Sequence, residues 1–376
     1  MAKRVMLAVA GAGKTHYICH SIQPDKKNLI LAYTHENIRN IKRELIEAHG
    51  TVPELTNVMT FDSFVYRFLL CPYEPTVLRF FNCDDFVRRG ITTKEPPAQM
   101  IKNKLGNRVS NPYYVKKNKL RHYVTKAGQY YCANISELIM AVKENKKTLI
   151  KKAAVALNLF YDQIMIDEFQ DFREYDYELV IALARETKNV LLVGDYYQHS
   201  VSAVNNSGKP FKKGKIDVGY DEFKQLLEGM QFDIDDTTLK ASRRCPQEIC
   251  EYVKTKLGID IEADNEQFGH VIWVDNNIDA ILQDDSIIKL VYHNSGTYTF
   301  QAVNWSYSKG DTLNSVCVIL TDKFDMLDCN KFTGNGISKS TINKLYVAMT
   351  RTKGNLYLVK YDAFQTVKQK YCKQRS

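Results

Sequence analysis

A short glycine-rich segment near the start of the chain contains the residue types that bind phosphate. It follows the apolar run Val5–Val9, precedes a helical pattern that begins near His16, and consists of Ala10, Gly11, Ala12, Gly13, Lys14 and Thr15. In a strand–turn–helix unit, glycine lets backbone N–H groups surround phosphate oxygens, and the helix N-terminus adds a positive dipole end. Lys14 would then reach the β- and γ-phosphates, and the Thr15 hydroxyl would ligate Mg²⁺. The segment therefore predicts a site for ATP with magnesium.

Two further apolar runs end in polar side chains that suit phosphoryl transfer. Ile164-Met165-Ile166 is followed by Asp167-Glu168, and Val190–Val193 is followed by Gly194-Asp195 and then Gln198. Carboxyl ends of neighbouring parallel strands lie at one edge of a sheet, so these side chains should surround the phosphates. We expect Asp167 to hold Mg²⁺ together with Thr15, Glu168 to orient and deprotonate the attacking water, and Gln198 to sense the γ-phosphate.

The apolar pattern of the chain predicts the elements that position these residues. Short buried runs alternate with amphipathic segments such as Glu36–His49 and Tyr175–Arg185, which indicates α/β architecture with parallel sheets. The predicted strands are Val5–Val9, Leu29–Tyr33, Ile164–Ile166, Val190–Val193, Val271–Val274, Val316–Leu320 and Leu356–Val359. Val204–Gly219 reads as a loop. A length of 376 residues fits about two or three domains.

Composition excludes several classes of protein. No apolar run approaches the roughly 18 residues of a membrane-spanning helix, so we expect no membrane association. The nine cysteines include no Cys-x-x-Cys pair, which argues against a disulfide framework or a zinc ribbon and favours a reducing compartment.

Positive charge is concentrated in one part of the chain. The formal net charge is +9, and residues 101–152 alone contain thirteen Lys and Arg against two acids, Glu137 and Glu144. Tyrosines are interleaved with these cations, as suits a nucleic-acid strand whose phosphates meet the cations and whose bases stack on rings. An ordinary solvated, lysine-rich surface would give the same composition, so charge alone leaves both readings open.

The order of these segments resembles the superfamily 1 helicases, the group typified by UvrD, Rep and RecD. The phosphate loop, Asp167-Glu168-Phe169-Gln170-Asp171 and Gly194-Asp195-x-x-Gln198 look like three of their motifs. Leu31–Asn37 and Thr60–Phe64 are similar to two segments that touch the single strand in that family. The second half continues the series with Leu239–Pro246, Ser308–Thr312 and Leu345–Arg351.

The resemblance implies two RecA-like lobes, residues 1–235 and 236–376, with ATP bound between them. Arg244 and Arg351 would be arginine fingers from the second lobe, and Gly310 would approach the nucleotide. The residues that would contact the strand are Thr34, His35, Thr60 and Phe64.

Several segments depart from the family pattern. After Gln198 the sequence is His199-Ser200-Val201-Ser202-Ala203, which lacks the aromatic residues that stack on bases in the UvrD type. Ser200-Val201 is closer to the RecD type. His35 stands where relatives have Phe. We interpret Pro72–Lys152 as a small basic insertion subdomain of the first lobe, in which Lys116, Lys117, Lys119 and Arg121 contact phosphate.

The resulting expectation is a nucleic-acid-dependent ATPase that translocates along a single strand and unwinds DNA, located in the cytoplasm of a bacterial or phage-infected cell. One alternative is an ATP-switched DNA-binding or remodelling protein that works with a protein partner and does not unwind processively. Another alternative is an RNA helicase, because no motif distinguishes ribose from deoxyribose. DNA is the favoured strand.

We predict relaxed selectivity for the base of the nucleoside triphosphate. Related helicases read adenine with a Gln segment upstream of the phosphate loop, and only seven residues precede Ala8 here. GTP and CTP should therefore be hydrolysed with kcat/KM close to that for ATP. Steady-state hydrolysis of the four nucleotides measures this, and a strong preference for ATP would contradict it.

Overall fold

A computed structural model describes residues 3–199, 208–264, 266–330 and 332–373. Its first sheet has six parallel strands in the order β6-β1-β5-β4-β2-β3. The strands are β1 Lys3–Leu7, β2 Asn28–Ala32, β3 Thr56–Thr60, β4 Gln163–Ile166, β5 Val190–Gly194 and β6 Asp233–Asp235. We call this sheet and the helices on its two faces the first lobe.

The second lobe contains a five-stranded parallel sheet in the order β7-β11-β10-β8-β9. Its strands are β7 Val271–Trp273, β8 Ile287–Val291, β9 Ala302–Asn304, β10 Ser315–Ile319 and β11 Leu356–Val359. The expected α/β class with two parallel sheets of the RecA-like kind is therefore confirmed. All residues of β2 and β5 are buried, because helices cover both faces of the sheet.

Helices connect the strands and cover the sheets. In the first lobe they are α1 Lys14–Ser21, α2 His35–His49, α3 Phe61–Phe64, α4 Glu74–Phe80, α5 Cys132–Ala141, α6 Leu149–Phe160, α7 Glu174–Glu186 and α8 Tyr220–Gly229. In the second lobe they are α9 Gln247–Leu257, α10 Ile278–Gln283, α11 Lys339–Met349 and α12 Tyr361–Val367. Within the described residues, no helix is long and apolar enough to span a membrane.

The basic insertion has an exposed part and a buried part. Its exposed part contains the hairpin Met100–Lys102 with Arg108–Ser110. Ile91–Thr92 pairs with Tyr130–Tyr131, and the Tyr130 ring is buried in the core. Helix α5 lies within the predicted insertion and α6 begins in it; both pack on α7, and their apolar side chains join the core cluster that contains Val5 and Leu7. The second half of the insertion is thus part of the first lobe's core.

Every strand named from the sequence is present, with ends shifted by at most two residues. The pattern missed β3, β6, β8 and β9. Of these, β8 is interrupted by the buried Lys289, β6 is an acidic three-residue edge strand, and β9 is equally short. The predicted loop Val204–Gly219 lies partly outside the described residues; its described part forms two short paired strands, Lys212–Lys213 and Ile216–Asp217.

The two lobes share apolar packing. One cluster of buried residues contains Met6, Ala8 and Val9 of the first lobe together with Trp305, Leu345 and Tyr346 of the second. Helix α11 also packs on the turn Tyr196–Gln198 that follows β5. The carboxyl edge of the first sheet is therefore covered by the second lobe, and this is where the predicted site residues converge.

Candidate functional site

The phosphate loop has the backbone shape that its glycines allow. Gly11 (φ +74°) and Gly13 (φ +82°) occupy the left-handed region, and Gly13 is the N-cap of α1. A Cβ at Gly11 would lie 2.6 Å from Oγ of Ser242 and 2.8 Å from Cβ of Arg244. The second lobe thus approaches the loop so closely that only glycine fits at residue 11.

Thr15 and Asp167 lie side by side, as the sequence predicted. The Thr15 hydroxyl donates a hydrogen bond to Oδ2 of Asp167 at 2.9 Å, and the backbone N–H of Glu168 donates to Oδ1 at 2.9 Å. Burial and the negative charge of Glu168 raise the pKa of Asp167 to about 6. The pair fits Mg²⁺, which binds one or two carboxylates and takes its remaining ligands from phosphate and water.

Glu168 is held in a strained conformation between two cations. Its φ of +53° lies in the left-handed region, which side chains other than glycine seldom adopt. One carboxylate oxygen is 3.5 Å from Nζ of Lys14, and the other is 3.6 Å from Nζ of Lys309. Burial favours the neutral acid, but the charges of Lys14 and Lys309 outweigh it and lower the pKa of Glu168 to about 2. This carboxylate is ionised and fixed in direction, as a water-orienting group requires.

Lys309 is the site residue whose role the sequence analysis missed. Its Nζ pairs with Asp171 as well as with Glu168. Burial opposes its charge, yet Asp171 and Glu168 raise the pKa of Lys309 above its ordinary value. The signal in the sequence was its place in the Lys-Gly segment, which we had used only to identify the lobe.

Two arginines of the second lobe have unsatisfied buried donors, and one of them, Arg244, lies against Gly11 of the phosphate loop. Nε and Nη2 of Arg244 and Nη2 of Arg351 are buried without a hydrogen-bond partner among the described residues. Burial and, to a smaller extent, the charge of Arg244 lower the pKa of Arg351 to about 9. Buried guanidinium donors without acceptors suit an anion, and the γ-phosphate of ATP is the anion that this loop would hold.

The end of β5 links the lobes through a buried tyrosine. The Tyr346 hydroxyl accepts a hydrogen bond from the backbone N–H of Ala10 at 2.7 Å and donates one to Oδ2 of Asp195 at 3.1 Å. Gln198, the predicted γ-phosphate sensor, is 3% exposed at the same turn. Gln170 connects β4 to β5, since its amide donates to Glu168 and its Oε1 accepts from the N–H of Asp195 at 2.9 Å.

The second-lobe turn around Gly310 lies beside Arg244. Gly310 itself is exposed with φ +94°, and Nη1 of Arg244 donates to the carbonyl oxygen of Asp311 at 3.2 Å. The turn therefore borders the predicted nucleotide site.

The residues predicted to contact the strand lie at the carboxyl ends of β2 and β3, which are paired neighbours. Thr34 and His35 are exposed at the start of α2, where the Thr34 hydroxyl accepts from the N–H of Asn37 at 3.1 Å. Thr60 caps α3 in the same way. Phe64 is 0% exposed and stacks on Phe68 inside the core, so its ring supports this edge and offers no surface to a base.

Tyr33 offers the exposed ring that Phe64 does not. It is 48% exposed at the end of β2, and its ring meets Phe172 edge-to-face with centroids 5.7 Å apart. Phe172 in turn meets Phe61 at 4.8 Å. A tyrosine at the last position of a buried apolar run was the available signal, and the sequence analysis counted it as part of the strand.

The four predicted phosphate contacts of the insertion are not equivalent. Nζ of Lys117 is 2.5 Å from a carboxylate oxygen of Glu137 and lies over the ring of Tyr175. Arg121 donates to the carbonyl oxygen of Thr125 at 2.6 Å. Lys116 and Lys119 are exposed. The charge of Lys117 is thus neutralised within the protein, while the other three cations face solvent.

His199 takes the place of the missing stacking residues and is buried. Its ring stacks on Phe211 at 3.9 Å and contacts the Asn343 side chain of the second lobe. Burial and the charge of Arg173 lower its pKa to about 3, so the ring is neutral. The departures noted at Ser200, Val201, Ser202 and Ala203 lie outside the described residues.

We predict that Tyr346→Phe weakens the contact between the lobes. Without the hydroxyl, the N–H of Ala10 and the carboxylate of Asp195 lose a partner in a buried place, which costs about 1–3 kcal/mol. Thermal unfolding should show a lower Tm, whereas Tyr307→Phe, which changes an exposed side chain, should leave the Tm unchanged. Equal melting of the two variants would contradict the assigned contact.

Comparison with known proteins supports one family. Residues 84–200 match the model of the UvrD/REP helicase N-terminal domain. No curated protein matches the chain. Among solved structures, an arterivirus nonstructural protein 10 helicase in complex with DNA is 12% identical, with a TM-score of 0.45, over 95% of this chain and 60% of that one. The helicase of the virus PRRSV is 14% identical, with a TM-score of 0.45, over 99% of this chain and 55% of that one.

The chain thus spans 55–60% of the length of these two helicases. The UvrD/REP match covers the strand end Asp167-Glu168 and the turn that contains Gln198. The phosphate loop before this part of the chain and the two arginines after it stand in the order found in the superfamily 1 helicases, which the chain resembles.

Proposed function

We propose that the protein is a nucleic-acid-dependent ATPase that translocates along single-stranded DNA and unwinds duplex. Residues 1–235 form the ATP-binding lobe, and residues 236–376 form the lobe that completes the site. The observation that carries the proposal is the pair of second-lobe arginines with buried, unpaired guanidinium donors, Arg244 and Arg351, of which Arg244 lies against Gly11 of the phosphate loop. A site assembled from both lobes links hydrolysis to their relative movement.

Each side chain has a role in hydrolysis that follows from its position. The loop N–H groups and Lys14 hold the β- and γ-phosphates, and Arg244 and Arg351 stabilise charge on the transferred phosphoryl group. Glu168, fixed by its neighbours, directs the attacking water, and buried Gln198 reads the γ-phosphate. Thr15 and Asp167 would hold Mg²⁺, which supplies charge neutralisation on the phosphates.

The strand would lie along the ends of β2 and β3. Thr34 and His35 are exposed there, Tyr33 presents a ring for stacking on a base, and buried Thr60 caps α3 behind them.

The alternative function is an ATP-switched DNA-binding or remodelling protein that works with a partner. The shared apolar cluster and the Lys309 ion pairs favour it, because they hold the lobes closely together. An RNA helicase differs from the main proposal only in the strand, and substrate comparison separates the two.

The experiment that tests the proposal is nucleotide hydrolysis with and without single-stranded DNA, using Lys14→Ala as the blank. Without the Lys14 ammonium, hydrolysis should fall about 100-fold or more. Strong stimulation by DNA supports a DNA-dependent motor, and a strand-displacement assay then separates unwinding from switching. Stimulation by RNA alone supports the RNA helicase. A wild-type rate equal to that of the blank would reject the proposal.

We predict that the exposed cations of the insertion contribute to strand binding. Replacing Lys116, Lys119 and Arg121 by Gln should weaken binding and reduce the slope of log K against log salt by about 2, since each lost phosphate contact removes about 0.7. Titration of fluorescent single-stranded DNA at several salt concentrations measures the slope.

The matched control replaces Lys143, Lys146 and Lys147, three exposed lysines of a neighbouring hairpin. This variant loses the same charge and should keep the wild-type slope. Lys117→Gln breaks the pair with Glu137 and should lower the Tm more than the slope. Equal slopes in the wild type and the first triple variant would rule out the predicted contacts.

A further inference from the structure

Lys309 is placed by a rigid anchor in the second lobe. It follows the turn Trp305–Ser308, in which Trp305 is 0% exposed and donates from Nε1 to the carbonyl oxygen of Leu290 at 3.0 Å. The Ser308 hydroxyl donates to the carbonyl oxygen of Trp305 at 2.8 Å. The backbone of Lys309 therefore moves with β8 and the rest of the second lobe.

The Lys309 side chain nevertheless ends among carboxylates of the first lobe. Its Nζ pairs with Oδ1 of Asp171 and lies 3.6 Å from Oε2 of Glu168. The three side chains are only 14–17% exposed, so water screens these ion pairs little. Oε1 of Glu168 is meanwhile 3.5 Å from Lys14.

This arrangement occupies both oxygens of the residue that must direct water. Lys14 faces one oxygen, while Lys309 and the amide of Gln170 face the other. A water molecule that hydrogen-bonds to Glu168 must compete with these donors for the carboxylate oxygens. Lys14 and Gln170 belong to the same lobe as Glu168, so Lys309 is the partner that a movement of the lobes can remove.

A packed route connects Lys309 to the strand-facing edge. Asp171, its main partner, is followed by Phe172, whose buried ring supports the exposed ring of Tyr33 edge-to-face at 5.7 Å. A base stacked on Tyr33 would press on Phe172 and shift the adjoining carboxylate. Occupancy of the strand site would in this way reach the Lys309 contact.

We propose that Lys309 is a positioning residue that makes hydrolysis depend on the strand. In the arrangement described, it engages Glu168 and Asp171; when a strand lies on Tyr33 and the lobes shift, Lys309 withdraws and Glu168 becomes available to water. The inference rests on the proposed function. It adds the contact, made by Lys309, through which the strand site would control the nucleotide site.

The test is Lys309→Met, which keeps the length of the side chain and removes its charge. The strand-free hydrolysis rate should rise about fivefold or more, the lower end of ordinary coupling between sites, while the strand-stimulated rate changes little. The ratio of the two rates therefore falls. Lys309→Arg, which retains a cation, should restore most of the dependence on the strand.

The control is Lys360→Met, which breaks a surface pair with Asp328 in the same lobe and should leave both rates unchanged. Tyr33→Ala should reduce stimulation by the strand, and Tyr33→Phe, which keeps the ring, should retain most of it. If Lys309→Met does not fold, Asp171→Asn removes the main partner from the other side and should raise the strand-free rate.

The possible results separate this inference from the proposed function. A strand-free rate that stays level or falls in Lys309→Met and in Asp171→Asn overturns the role of Lys309, since the lysine would then serve the nucleotide or the fold. Wild-type hydrolysis no faster than that of Lys14→Ala rejects the proposed function, and the role of Lys309 with it.

Discussion

The position of one carboxylate, that of Glu168, depends on contacts from both halves of the molecule. Lys14 approaches it from the phosphate loop, and Lys309 approaches it from the second lobe. Its backbone is left-handed, so the strain must be offset by these ion pairs and by the amide of Gln170. The parallel sheets, the glycine loop and the close fit of the lobes can all be understood as the frame that keeps this group in place.

The parallel sheet explains why the site forms at one edge. The ends of β1, β4 and β5 bring Lys14, Asp167 and Asp195 together although they are far apart in the chain, and the ends of β2 and β3 place Thr34 and Thr60 alongside. The proposed nucleotide site and the proposed strand contacts thus share one edge of one sheet. Phe172 lies between the two sets of residues: it comes directly after Asp171 in the sequence, and its ring contacts Tyr33.

Much of this site could be predicted from the sequence because it follows from strand ends. Thr15 and Asp167 were placed together from two apolar runs, and they form a hydrogen bond. Contacts that depend on the orientation of the lobes could not be predicted: Lys309 reaches Asp171 across a sequence separation of 138 residues. The burial of Phe64 and the pairing of Lys117 with Glu137 could not be predicted either, because a motif or a charge count does not show which way a side chain points.

The apolar cluster shared by the lobes limits how the two lobes can move relative to one another. Met6 and Val9 lie in one cluster with Trp305 and Tyr346, so pulling the lobes straight apart would expose hydrocarbon to water. Sliding of packed surfaces over one another keeps the hydrocarbon covered. The apolar surface shared by the lobes therefore permits short sliding movements and resists wide opening.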